Sequence, residues 1–118
     1  MEFYYHETEK DVLILSADGG LNAATAEKFV SELERLIEAG NRKIIVDCSA
    51  LDYISSYGIS VLLRLHKKLQ RHGGDVRLAS VKGMLVKTFS IVGIDEILSI
   101  HPDVNRARLS FRPQTGSG

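Results

Sequence analysis

Apolar positions alternate along the first part of this chain and then change rhythm. Residues 2 to 8 and 11 to 17 read as two strands around a polar turn at Glu9-Lys10. The second, DVLILSA, is the more apolar and is expected nearer the middle of a sheet. Asp18-Gly19-Gly20 breaks the pattern. From Asn22 the period is helical: Ala26, Phe29, Val30, Leu33, Leu36 and Ile37 fall on one stripe, and Gly40 is placed to close the helix as its C′ residue. KIIVDC, residues 43 to 48, is a continuous apolar run of the kind found in a strand covered by helices.

After a loop, SALDYIS, a second helix is expected from about Ser56 to His72. Its apolar stripe is Ile59, Leu62, Leu63, Leu65 and Leu69, with His66 at the border, and Gly73-Gly74 stops it. DVRLAS (75–80) reads as a strand. A third helix, about 82 to 92, is expected to bury Leu85, Val86, Phe89 and Ile91 before Gly93. Ile97 to Ile100 reads as a short edge strand, and DVNRARLSF as a final helical turn or two. Strand 43–48, helix 56–72 and strand 75–80 form a βαβ unit, so those strands should be parallel with a right-handed crossover. The fold class expected is α/β: one small domain, residues 1–111, with a mixed sheet of four to five strands and helices packed mainly on one face. The tail RPQTGSG, 112–118, reads as disordered.

Bulk composition narrows the function classes. The chain has 118 residues, enough for one domain with a core of its own. Hydrophobic residues make up 44% and charged residues 25%, a globular balance. Fifteen basic and fifteen acidic residues cancel, which leaves no electrostatic footprint for nucleic acid or an anionic membrane. The single Cys48 sits in an apolar run and reads as a buried small hydrophobe. The N-terminal residues lack the basic and apolar regions of a signal peptide, and no apolar run approaches membrane-spanning length. A cytoplasmic domain is expected.

The chemistry-bearing residues form few constellations. His6, His66, His72 and His101 are scattered without ligand spacing, so no metal and no cofactor is expected. A serine nucleophile would need a strained G-x-S-x-G elbow, and the sequence around Ser56 is I-S-S-Y-G. Gly19-Gly20 lies between strand and helix without the remaining glycines or the Lys of a nucleotide cradle. Asp47, at the end of a parallel strand, stands where a receiver domain keeps its phosphoacceptor. Such a site also needs an acidic pair after the first strand to bind Mg²⁺ and a Lys after a later strand. No such acidic pair is present, and a structural role toward the following loop is preferred. No catalytic residue is assigned.

One joint remains, Ser55-Ser56-Tyr57-Gly58, between a buried strand and an amphipathic helix. A helix start carries unpaired N–H groups and the positive end of the macrodipole. A hydroxyl there is an ordinary N-cap, or a place where a phosphate is welcome. Around this joint, KIIVDCSALDYISSYGISVLL resembles the STAS family of bacterial anti-sigma-factor antagonists, whose signature is an apolar strand ending in Asp, a loop, then D-S-x-G and an apolar helix. Ser56 falls on the family's phosphorylated serine and Gly58 on its Gly. GGLNAATAEKF resembles a second family segment, with Gly20, Leu21, Asn22, Thr25 and Ala26 in register, and HGGDVRLAS and VKTFSIVGIDEIL match two more.

The resemblance implies a non-catalytic regulatory module. It would bind an anti-sigma factor that is also a serine kinase, and release it when Ser56 is phosphorylated. A serine phosphatase would reset the cycle. The implied docking residues are Asn22, Thr25, Ser55, Ser56, Tyr57 and Gly58. Two positions depart from the family pattern: Ser55 replaces the usual Asp, and Tyr57 stands at a position that is typically small. Tyr57 is also a candidate interface anchor in its own right. The alternatives are a STAS subunit of a larger signalling or lipid-transport assembly, in which Ser56 is silent, and the receiver reading on Asp47.

Overall fold

The computed structural model describes residues 12–111 in full and the backbone of residues 2–7. In chain order the elements are β1 (Glu2–Glu7), β2 (Val12–Leu21), α1 (Ala23–Glu38), β3 (Lys43–Ile54), α2 (Ser56–Arg71), β4 (Asp75–Ala79), α3 (Gly83–Val92), a 3-10 turn Ile94–Glu96, β5 (Ile100–His101) and α4 (Val104–Ser110). The five strands form one sheet in sequence order. β1 runs antiparallel to β2, and β2, β3, β4 and β5 are parallel to one another. The expected mixed α/β domain is present. The turn at Glu9-Lys10 and the tail 112–118 lie outside the described residues.

Because each parallel crossover steps one strand further in the same direction, crossovers of the usual hand place α1, α2 and α3 on one face. The burial pattern agrees. Leu13, Leu15, Ile44, Val46, Val76 and Leu78 point to that face and pack in one cluster with Phe29, Leu33, Leu62, Leu69 and Phe89. The residues between them, Val12, Ile14, Ile45 and Ala79, point to the other face, where α4 covers them through Ala107, Val104 and Phe111. The stripe expected on α1 is the buried stripe found. On α2, Val61, Leu62, Leu65 and Leu69 are buried, while Ile59 and Leu63 are half-buried at its margin. His66 sits beside them with its Nδ1 3.1 Å from the Asp75 carboxylate.

Three expectations need correction. First, β2 and β3 do not stop at 17 and 48 but pair on to Leu21 and Ile54, with register shifts near Ser16/Asp18 and Gly19/Gly20. Gly19, at φ +101°, takes the left-handed conformation that such an irregular ladder uses. The two glycines and the shifted register of this extension break the alternation that would mark a strand. Second, α3 buries Leu85 and Phe89 only; Val86 is partly exposed and Ile91 is 85% exposed. That helix is apolar on most sides, so its pattern did not distinguish the packed face. Third, the edge strand is Ile100–His101 rather than 97–100, because Ile94 and Leu98 turn into the core from the 3-10 segment.

Candidate functional site

The extended ends of β2 and β3 bring the starts of α1 and α2 to the same edge of the sheet. Leu21 closes β2 and Ser55 follows β3, and the Ser55 N–H donates to the Leu21 carbonyl at 2.8 Å. At the α1 start, the Asn22 side chain accepts from the Ala24 and Thr25 N–H groups, both at 3.0 Å. Thr25 answers by accepting from the Asn22 N–H at 2.9 Å, which completes a capping box. Its hydroxyl also donates to the Gly20 carbonyl at 2.6 Å. Asn22 and Thr25 therefore anchor the end of β2 to α1.

At the α2 start the two serines divide their work. Ser55 is the N-cap: its φ of −85° and ψ of 169° are extended, and its Oγ accepts from the Gly58 N–H at 3.1 Å. Ser56 is the first helical residue. It is exposed, and its hydroxyl has no hydrogen-bond partner among the described residues. The usual Asp of the resemblance is thus replaced by a serine that performs the capping, so this departure leaves the helix start intact.

Gly58 is required by close approach. A Cβ there would lie 2.8 Å from Ile54 Cγ1, 3.0 Å from the Leu21 carbonyl oxygen and 3.1 Å from Leu21 Cβ. No side chain fits without displacing Ile54 and crowding Leu21. Tyr57 is 38% exposed, and its hydroxyl donates to the Glu27 carboxylate on α1, tying the two helix starts together. Tyr53, exposed on the extension of β3, lies across Gly20. Beside it the Asp52 carboxylate pairs with the Lys82 ammonium at the start of α3. Glu27, Tyr53, Asp52 and Lys82 had no signal in the sequence, since the Tyr57–Glu27 and Asp52–Lys82 pairs each join residues 30 apart.

The remaining candidates lie elsewhere. Asp47 accepts from the Ser49 N–H at 3.0 Å and faces the Ser16 hydroxyl at 3.5 Å, the loop-holding role expected of it. Cys48 is buried, and burial first, then the Asp47 charge, push its thiol up to about 12, so the reactive thiolate is not formed at neutral pH. His72 Nδ1 faces the Lys68 carbonyl at 2.9 Å, and the His101 Nε2 is buried without a partner. The side chain of His6 lies outside the described residues. Among the described residues no three His, Cys, Asp or Glu side chains group together. The surface at the two helix starts thus offers hydroxyls, an amide, exposed rings and N-terminal helix dipoles. Those are groups for recognition.

Comparison with known proteins fits this geometry. The STAS domain family model matches residues 6–107. BtrV of Bordetella bronchiseptica, a candidate anti-sigma factor antagonist, is 36% identical over 94 residues, 80% of this chain and 78% of its own. The crystal structure of a candidate anti-sigma factor antagonist from Thermotoga maritima superposes with a TM-score of 0.88 at 25% identity, covering 94% of this chain and 95% of that one. The phosphorylated form of the Bacillus cell fate determinant SpoIIAA shares the fold at a TM-score of 0.72 and 18% identity, covering 94% and 100%. The chain belongs to the STAS domain family and is similar to members of it named as candidate anti-sigma factor antagonists.

Proposed function

We propose that this protein is a non-catalytic anti-sigma factor antagonist. It docks an anti-sigma factor with serine kinase activity through the α1 and α2 starts, and phosphorylation of Ser56 releases it. The observation that carries this is the division of labour between the two serines. Ser55 supplies the cap, so the Ser56 hydroxyl is exposed, unpartnered and free to be modified without uncapping the helix.

The physics of release is local. A phosphate adds roughly −1.5 to −2 charges at pH 7. At the first turn of α2 that charge meets the positive end of the helix dipole and N–H groups that lack a carbonyl one turn back, so the domain tolerates it. A partner surface shaped for a neutral hydroxyl does not tolerate it, and each 1.4 kcal/mol or so of repulsion lowers affinity about tenfold. Asn22 and Thr25 hold the neighbouring edge in place, Gly58 lets α2 approach it, and Tyr57 presents a half-exposed ring as an anchor. No helix among the described residues is long and apolar enough to cross a membrane. The module is assigned to the cytoplasm, where sigma factors work, and a serine phosphatase resets it. The test is binding to the cognate anti-sigma factor. Ser56→Ala should bind and fail to be released under ATP, and Ser56→Asp should bind weakly while remaining folded. Equal binding by Ser56→Asp and wild type would remove the switch.

A further inference from the structure

Beyond the helix starts, the exposed face of α2 carries a row of its own. Ser56, Ser60, Arg64, Lys67 and Arg71 follow at helical spacing, and all five are exposed. Arg64, Lys67 and Arg71 make no ion pair or hydrogen bond with any described residue. Lys68, one position round the helix, turns away to Glu34 at 3.8 Å. A cation in the last turn of a helix is explained by the dipole alone, which accounts for Arg71. It does not account for Arg64 and Lys67, in the middle of α2 and unpaired among the described residues.

These cations border an open groove of about 500 Å³ between α2 and the segment after the 3-10 turn, lined by Ser60, Leu63, Arg64, His66, Lys67 and Ile97. It continues past Gln70 to Arg71, and no carboxylate lines either stretch. Ile97 is 51% exposed at its rim, although it is a large aliphatic side chain. An apolar slot with a one-signed cationic border has a specific complement.

We infer that this groove binds an acidic amphipathic helix of a protein partner. The partner's apolar side chains would seat on Leu63 and Ile97, and its carboxylates would face Arg64, Lys67 and Arg71. Charge complementarity selects the acidic ligand. The apolar floor favours a protein segment over nucleic acid or lipid headgroups, which would be drawn by a broader basic field than three cations on a neutral chain provide. The row begins at Ser56, so the groove continues the docking face proposed above. Only this continuity rests on that proposal; the occupant's chemistry rests on the groove.

The probe is a synthetic helical peptide the length of α2, built from Glu, Ala and Leu with Leu on one stripe, added to the ¹⁵N-labelled protein. Saturable amide shifts should concentrate at Leu63, Arg64, Lys67 and Ile97. The double variant Arg64→Glu/Lys67→Glu should weaken binding at least about tenfold, whereas Arg106→Glu, on α4 across the sheet, should not. The same peptide with Gln for Glu should bind the wild-type protein more weakly than the Glu peptide does. Absent or scattered shifts, or equal binding of the Gln peptide, would overturn the inference. So would shifts at these residues with duplex DNA or phosphatidylserine vesicles in place of the peptide, which would assign the groove to those ligands. No kinase takes part, so the groove can pass if Ser56 is never phosphorylated and can fail if it is.

Discussion

Replacing Gly58 by Ala isolates the contact that places the α2 start. The added Cβ would sit 2.8 Å from Ile54 Cγ1 and 3.0 Å from the Leu21 carbonyl oxygen. Ile54 Cγ1 is near the root of its side chain and the Leu21 oxygen is backbone, so neither yields by a simple rotamer change. Overpacking of this sort costs about 1–3 kcal/mol. Ala is a better helix former than Gly by roughly 0.8–1.0 kcal/mol in a helix interior, and somewhat less in the first turn. Two contacts at 3.0 Å or less put the cost in the upper half of that range, so the clash should win, with a net loss of about 1–2 kcal/mol. Urea titration with an unchanged m-value would read it directly, and a fall in Tm of roughly 4–8 °C per kcal/mol should accompany it. Gly83→Ala is the matched control. It opens α3, no atom lies within 4 Å of its Cβ position, and its φ is not in the left-handed range. That variant should be neutral or gain about 0.4–1 kcal/mol. If Gly58→Ala is as stable as wild type or more so, α2 does not approach Leu21 as described.

The two neighbouring serines should part company in the same assay: Ser55→Ala loses the cap and about 0.5–2 kcal/mol, while Ser56→Ala stays within about 0.5 kcal/mol of wild type. Equal losses would mean the cap is shared. Leu62→Ala, in the centre of the α2 stripe, should cost about 2–5 kcal/mol by denaturant unfolding, and a negligible loss would contradict that packing. His101 is held below its ordinary pKa by burial first and then by the Arg77 charge, against the opposing pull of Asp103. The unfolded chain then takes up the proton first, so stability should fall as pH drops through the ordinary His value of 6.5. His101→Asn should flatten that part of the pH profile; a profile unchanged by the substitution would assign the dependence to other groups.

Sequence periodicity located what depends on burial. The α1 stripe, Phe29 included, was legible because one face of that helix is dry and the others are wet. The Ser-Ser-Tyr-Gly joint was legible because a helix start has a small vocabulary of capping residues. Periodicity missed what depends on partners far along the chain. The extensions of β2 and β3 pair Asp18 with Ala50, Gly19 with Leu51 and Gly20 with Tyr53, an irregular ladder that no alternating hydrophobic pattern marks. Ile91 looked like core because α3 is apolar nearly all round, and only the width of the packed face decides which side is covered. Which serine caps α2 was also beyond the sequence, since either hydroxyl suits the position. The hydrogen bond from Gly58 to Ser55 decides it.

The central claim is that Ser56 is a charge switch on a surface that does not refold. Phosphoserine placed at position 56 during synthesis tests it most directly, with affinity for the cognate anti-sigma factor and unfolding free energy measured on the same sample. Affinity should be lower by tenfold or more, about 1.4 kcal/mol, with stability unchanged or raised by a few tenths to about 1 kcal/mol from the helix dipole. Unchanged affinity, or affinity lost only because the domain unfolds, would contradict it.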